Sequence, residues 1–132
     1  MNTPFNAVVA FFDALSQGEA ARIRTTITRD FSLLEHGQLW DADKLISAAQ
    51  GEYDRVNAYH VIEECQQGDL AWLSYWNRAR IVRGCNLDER LWLESVVLIR
   101  DEELWKVKML HSTRTAQSNL PQDVRLVEMT LS

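Results

Sequence analysis

Apolar positions recur at helical spacing in the first fifty residues and alternate with period two from Asn57 onward. Thr3-Pro4 opens a helix, with a capping hydroxyl followed by a proline whose missing N–H costs nothing at the first position. Phe5, Val8, Val9, Phe12 and Leu15 form its stripe, Phe11 and Ala14 widen it, and Gly18 stops it. A shorter second helix is predicted from about 19 to 28, with Ala20, Ile23 and Ile27 inward. Residues 31–36 read as a strand, Gly37 as a turn and Leu39-Trp40 as a second short strand. Asp41 is placed to cap a third helix reaching about residue 50, with Leu45, Ile46 and Ala49 buried. Tyr53 sits in the connection that follows.

The period-two region predicts four long antiparallel strands. Residues 57–67 and 70–83 make a hairpin about Gly68-Asp69, and 84–88 supply the next turn. The last hairpin, 89–113, turns at Asp101-Glu102-Glu103. Its first strand is apolar on both parities, so it must be covered on both faces. Helices first and a meander afterwards predict an α+β domain with helices on one face of a curved sheet.

At 132 residues the chain is expected to form one domain, with 46% apolar and 25% charged residues as in ordinary globular proteins. A net charge of -5 argues against a nucleic-acid surface. The opening residues carry no basic segment followed by an apolar run, so neither a signal peptide nor a membrane span is expected. Cys65 and Cys85 have no metal-type spacing. Reduced thiols in a cytoplasmic protein are the simplest reading.

The order of elements, with FFDALSQGEAARI (11–23), DFSLLEHG (30–37), GDLAWLSY (68–75) and LIRDEELWKVKMLHST (98–113), resembles the NTF2-like superfamily. That cone-shaped fold is shared by nuclear transport factor 2, ketosteroid isomerases and SnoaL-like cyclases. The last segment is most similar to bacterial SnoaL-like and DUF4440-type groups. The resemblance covers roughly 4–114, so 1–114 is taken as the domain and 115–132 as a C-terminal tail packed on the domain or a dimer. Aligned without gaps, the ketosteroid isomerase tyrosine falls on Phe11. The general base falls on Leu34, beside Glu35 but of opposite parity, and the neutral acid falls on Ser95. Steroid isomerisation by that mechanism is therefore not expected.

Pairing the strands through their turns gives a face map. About Gly68-Asp69, Ile62 meets Tyr75 and His60 meets Asn77; about Asn86, Asn77 meets Ser95 and Arg78 meets Glu94; in the last hairpin Ser95 meets Met109 and Leu93 meets His111. The concave face then carries His60, Tyr75, Asn77, Ser95, Met109 and His111. The outer face carries Trp72, Trp76, Arg78, Trp92 and Glu94, with Arg78–Glu94 as an ion pair. Tryptophans beside arginines on a bare sheet face predict an interface. A homodimer through that face is also what the resemblance implies. Residues 115–132 folding back as cover is the alternative.

His111 and His36 are the candidate proton-transfer groups, since histidine changes charge most readily near neutral pH. The competing reading is a pair of hydrogen-bonded core histidines. Trp40, Tyr53, His60, Tyr75, Asn77, Ser95 and Met109 are the candidate ligand-binding residues. The aromatic members fit ordinary core as well. No spacing of histidines or acids suggests a metal, and no cofactor is expected. The expectation is a pocket for a small hydrophobic molecule, with cofactor-free isomerisation, cyclisation or dehydration if it is an enzyme. The alternative is a non-catalytic homodimeric association or scaffold domain.

Overall fold

A computed structural model describes residues 2–50 and 54–131. Helix α1 (Pro4–Gln17) begins where Thr3 Oγ1 accepts from Asn6 N at 3.1 Å, and ends at Gly18 in the left-handed conformation, φ +70°. A side chain at Gly18 would also meet the Ala49 carbonyl oxygen at 3.1 Å, so glycine lets α1 approach the end of α3 closely. Helix α2 (Ala20–Thr25) is followed by strands β1 (Ile27–Glu35) and β2 (Gln38–Trp40), then by α3 (Ala42–Ala48). Asp41 caps α3 by accepting from Lys44 N at 2.9 Å. Strands β3 (Asp54–Gln67), β4 (Leu70–Arg83), β5 (Asn86–Asp101) and β6 (Leu104–Thr115) form the meander, and a short β7 (Val127–Glu128) ends it.

Among the described residues these strands form one sheet in the order β2-β1-β6-β5-β4-β3-β7, in which β1 runs parallel to β6 and every other pairing is antiparallel. Three helices on one mixed sheet give the predicted α+β architecture. The second helix is shorter than predicted. Ile27 and Thr28, read as its last turn, begin β1, where backbone pairing with Val107 outweighs the weak helix preference of β-branched residues.

The core lies between α1 and the concave face. Val8, Phe11, Phe12 and Leu15 are buried against Phe31, Leu33, Leu73, Val96, Leu98 and Leu110. Burying each large side chain contributes roughly 1.5–3 kcal/mol, so α1 is held by packing rather than by its own helix propensity. Phe11 and Phe12 meet edge to face at 5.0 Å.

Three local features rewrite the face map. The second long hairpin turns at Gly84-Cys85 with Arg83 opposite Asn86, not about Asn86, so Tyr75 faces Glu94, Asn77 faces Trp92 and Arg78 faces Leu91. Glu94 and Trp92 therefore lie beneath the helices, and the predicted Arg78–Glu94 pair does not form. In β3, Ile62 is an extra residue between the Glu63–Ser74 and Val61–Tyr75 pairs. That bulge turns Tyr59 and Val61 inward and His60 outward. In the last hairpin the turn is the two residues Glu102-Glu103, both at positive φ, and Lys108 is a bulge. Ser95 consequently pairs with His111 and Val97 with Met109, all four on the outer face.

Past Thr115 the chain returns toward β3, where Tyr59 pairs with Val127 and Ala58 with Glu128. Leu91 and Ala58 have the parity of the outer face yet are each 1% exposed. On the same face Leu93 stays 41% exposed beside half-buried Trp76.

Candidate functional site

The bulge in β3 and the tight turn before β5 bring polar residues from four strands to the same inner surface. Glu94 on β5 is 4% exposed. Its Oε2 accepts from the Ser112 hydroxyl at 2.7 Å, and its Oε1 accepts from Asn77 Nδ2 at 3.0 Å. Asn77 Oδ1 accepts in turn from Asn57 Nδ2 at 2.9 Å, and Asn57 Oδ1 from Arg55 Nε at 3.2 Å. A continuous chain of hydrogen bonds thus crosses β3, β4, β5 and β6, with every amide aimed toward Glu94.

Burial pushes the Glu94 carboxyl above the ordinary glutamate range, against the hydrogen bonds from Ser112 and Asn77 and the charge of Arg55. Desolvation wins because no cation sits in contact with the carboxyl among the described residues. The Tyr75 hydroxyl lies close enough to feel Glu94 but makes no hydrogen bond of ordinary geometry. Burial, then the nearby carboxylate, hold that phenol well above the usual tyrosine value. The Tyr59 hydroxyl is likewise buried without a partner, and its ionisation is pushed up chiefly by burial.

Glu94 and Ser112 open into a cleft of about 220 Å³ between the sheet and helices α1 and α3. Phe11, Phe12, Leu15, Leu33, Trp40, Leu45, Trp92 and Leu110 form its apolar walls, and Arg55, Arg90 and Glu35 supply charge. Glu35 stands on the same cross-strand row as Ser112 and Glu94. The guanidinium of Arg55 lies 5.8 Å from the Phe12 ring and 5.6 Å from that of Trp92. A larger hollow of about 500 Å³ on the other side of Arg55 is lined mainly by polar residues of α1, β3 and the C-terminal segment. It contains no buried ionisable group comparable to Glu94. A neutral carboxyl donates a hydrogen bond and an ionised one removes a proton, so the smaller cleft holds the chemistry for proton transfer.

Of the residues singled out from sequence, Trp40 lines this cleft, with its indole N–H donating to Gln38 Oε1 at 2.9 Å. Tyr75 and Asn77 lie behind Glu94. His111 and Ser95 face each other, exposed, on the outer surface, and Met109 is on that surface too. His36 is exposed at φ +50° in the two-residue turn with Gly37. His111 is thus turned away by the register of β5 and β6, and His36 by its place in the β1–β2 turn. His60 also faces out, its Nδ1 accepting from Arg125 N at 3.2 Å. Tyr53 lies outside the described residues.

Sequence reasoning missed Glu94, Glu35, Ser112, Arg55 and Trp92 as site residues. Gly84-Cys85 was the available signal: it repeats the glycine-first form of Gly68-Asp69, with Gly84 at φ +61° and Gly68 at φ +58°. Set on that turn, Glu94 comes opposite Tyr75. Among the described residues no three histidine, cysteine or acidic side chains come together as metal ligands, and no helix is long and apolar enough to cross a membrane.

No protein-family model matches the chain, and no curated protein matches its sequence. Solved structures do. A ketosteroid isomerase-like protein from Erwinia carotovora atroseptica superposes with a TM-score of 0.68 at 16% identity, covering 86% of this chain and 94% of that one. The association domain of C. elegans CaMKII gives 0.68 at 15% identity, covering 82% and 90%. An NTF-2 like protein of unknown function from Silicibacter pomeroyi gives 0.61 at 15% identity, covering 84% and 92%. The chain has the NTF2-like fold. These likenesses establish architecture; the same cone serves unrelated tasks.

Proposed function

We propose that the cleft binds a small hydrophobic molecule and transfers a proton on it without a cofactor, in a reaction of isomerase, cyclase or dehydratase type. The observation that carries this reading is the Glu94 carboxyl, buried yet lining the cleft. A carboxyl in that setting costs stability that an apolar side chain would not, and such costs concentrate at working sites. Glu94 is the neutral donor and Glu35 the base, in place of His111 and His36. Both glutamates stand one residue from the positions on which the ungapped isomerase alignment fell, Ser95 and Leu34. Phe11 still has no hydroxyl to offer, so the third group of that mechanism is missing from α1.

The test is deuterium incorporation from heavy water into a panel of small cyclic ketones, followed by NMR. Wild type is expected to accelerate exchange beside the carbonyl, and Glu35→Gln to abolish it. Equal exchange by both proteins would sink the assignment of the base.

A second reading, a homodimeric association domain, draws support from the exposed part of the outer face, where Leu93 lies beside Trp76. Trp72, Trp76 and Arg78 remain on that face, whereas Trp92 and Glu94 do not. Sedimentation of wild type and Leu93→Glu tests it, with a dimer expected to become a monomer. The setting we propose is cytoplasmic, with Cys65 and Cys85 reduced, 1–114 as the domain and 115–132 as its tail.

A further inference from the structure

The cleft carries charge at two places with unequal compensation. Arg90, one of its two arginines, is paired through Nε with Asp88 at 2.8 Å. Arg55 has no ion pair among the described residues. Its Nε is held by Asn57, whose own amide is fixed by Asn77 and through it by Glu94. Its guanidinium plane lies within cation–π distance of Phe12 and Trp92. No hydrogen bond is made by its two Nη groups among the described residues. A half-buried guanidinium oriented by a network and braced by two rings, yet lacking an acid, is a fork waiting for an oxyanion.

We infer that the molecule taken by the cleft is a small carboxylic acid, its carboxylate held by the Nη edge of Arg55 and its apolar body lying along Trp92 toward Glu94 and Glu35. This rests on the cleft being a small-molecule site and adds the class of molecule it takes. Strand order supports the orientation: Arg55 on β3 and Glu35 on β1 stand on opposite sides of Glu94 on β5. A ligand anchored at Arg55 therefore extends from β3 toward the Glu94 side of the cleft. Size limits the class as well. About 220 Å³ is below the roughly 300 Å³ at which drug-sized sites begin, so one ring or a short chain fills it. Burial raises the Glu94 carboxyl above the ordinary glutamate range, which lessens the negative charge that an incoming carboxylate meets there.

The experiment is an NMR titration of the full chain with benzoate and with benzamide, a neutral molecule of nearly the same shape. Wild type is expected to bind benzoate at least tenfold more tightly than benzamide, as one charge-assisted hydrogen-bonded pair supplies. The shifts should centre on the Trp92 indole. Arg55→Gln should erase the preference, and Arg55→Lys, which keeps the charge but not the fork, should restore part of it. A preference that survives Arg55→Gln, or benzamide binding as well as benzoate, overturns the assignment of class while leaving the cleft a binding site. Binding of neither at millimolar concentration overturns both the class and the small-molecule reading of the cleft.

Discussion

The hydroxyl of Ser112 donates to Oε2 of Glu94 across the β5–β6 ladder at 2.7 Å, while the neighbouring pair one residue along, Ser95 and His111, faces the opposite side of the sheet. A single step of register thus separates a buried acid–hydroxyl pair from an exposed serine and histidine. Burial keeps the proton on Glu94 above the pH at which an unfolded glutamate loses it. The native state then binds more protons than the unfolded chain, so stability falls as pH rises from about 4.5 through that window. Glu94→Gln removes this titration. Urea unfolding of both proteins at a series of pH values is expected to show the variant gaining on wild type as pH rises. A pH-independent difference would mean that Glu94 ionises as an ordinary glutamate.

Asn77→Ala cuts the hydrogen-bond chain at its centre, stranding Asn57 Nδ2 and Glu94 Oε1 inside the protein. The expected loss is about 2–4 kcal/mol, because two buried groups lose partners that water cannot replace. In an Asn57→Ala background the same change should cost about 1 kcal/mol less, a coupling that a double-mutant cycle in urea would measure.

Tyr59→Phe should behave differently. Its hydroxyl is buried with no partner, so removing it discards a desolvation cost and sacrifices no bond. Stability is expected to rise or to change by less than about 0.5 kcal/mol, against the larger loss typical of a core substitution. A large destabilisation would reveal a hydrogen bond made through water.

His36 occupies the left-handed region at φ +50° in the β1–β2 turn, a conformation that asparagine adopts more readily. His36→Asn is expected to raise stability by about 1 kcal/mol at most and to leave ligand binding in the cleft unchanged. Thermal unfolding together with the benzoate titration checks both halves. Weakened binding would return His36 to the site.

The helices and strands were legible because their signals are local. Thr3-Pro4, Gly18, Asp41 and Gly68-Asp69 mark ends through backbone chemistry that a neighbouring residue cannot alter. The candidate site was not legible because it depends on three registers multiplied together. The bulge at Ile62 falls between Val61 and Glu63 with no glycine to announce it, and Lys108 bulges between two residues that both read as strand. Each slip reverses every side chain beyond it. Trp40, Tyr75 and Asn77 kept their inward positions, since β4 alternates without a bulge and β2 is fixed by a two-residue turn. Arg55 gave no signal of its own, as an arginine at the start of a strand normally faces water.

The parallel pairing of β1 with β6 also governs when the protein can become itself. Ile27–Glu35 is synthesised ahead of the strand that flanks it, Leu104–Thr115, which lies some seventy positions later. Until then the nascent chain presents an apolar helix and an unpaired inner edge to its surroundings, a long-range closure of the kind that slows folding and invites chaperones. The two glutamates meet only at that last step, so the cleft is assembled by the closing of the sheet, and a chain halted before Leu104 would carry both carboxylates without a site.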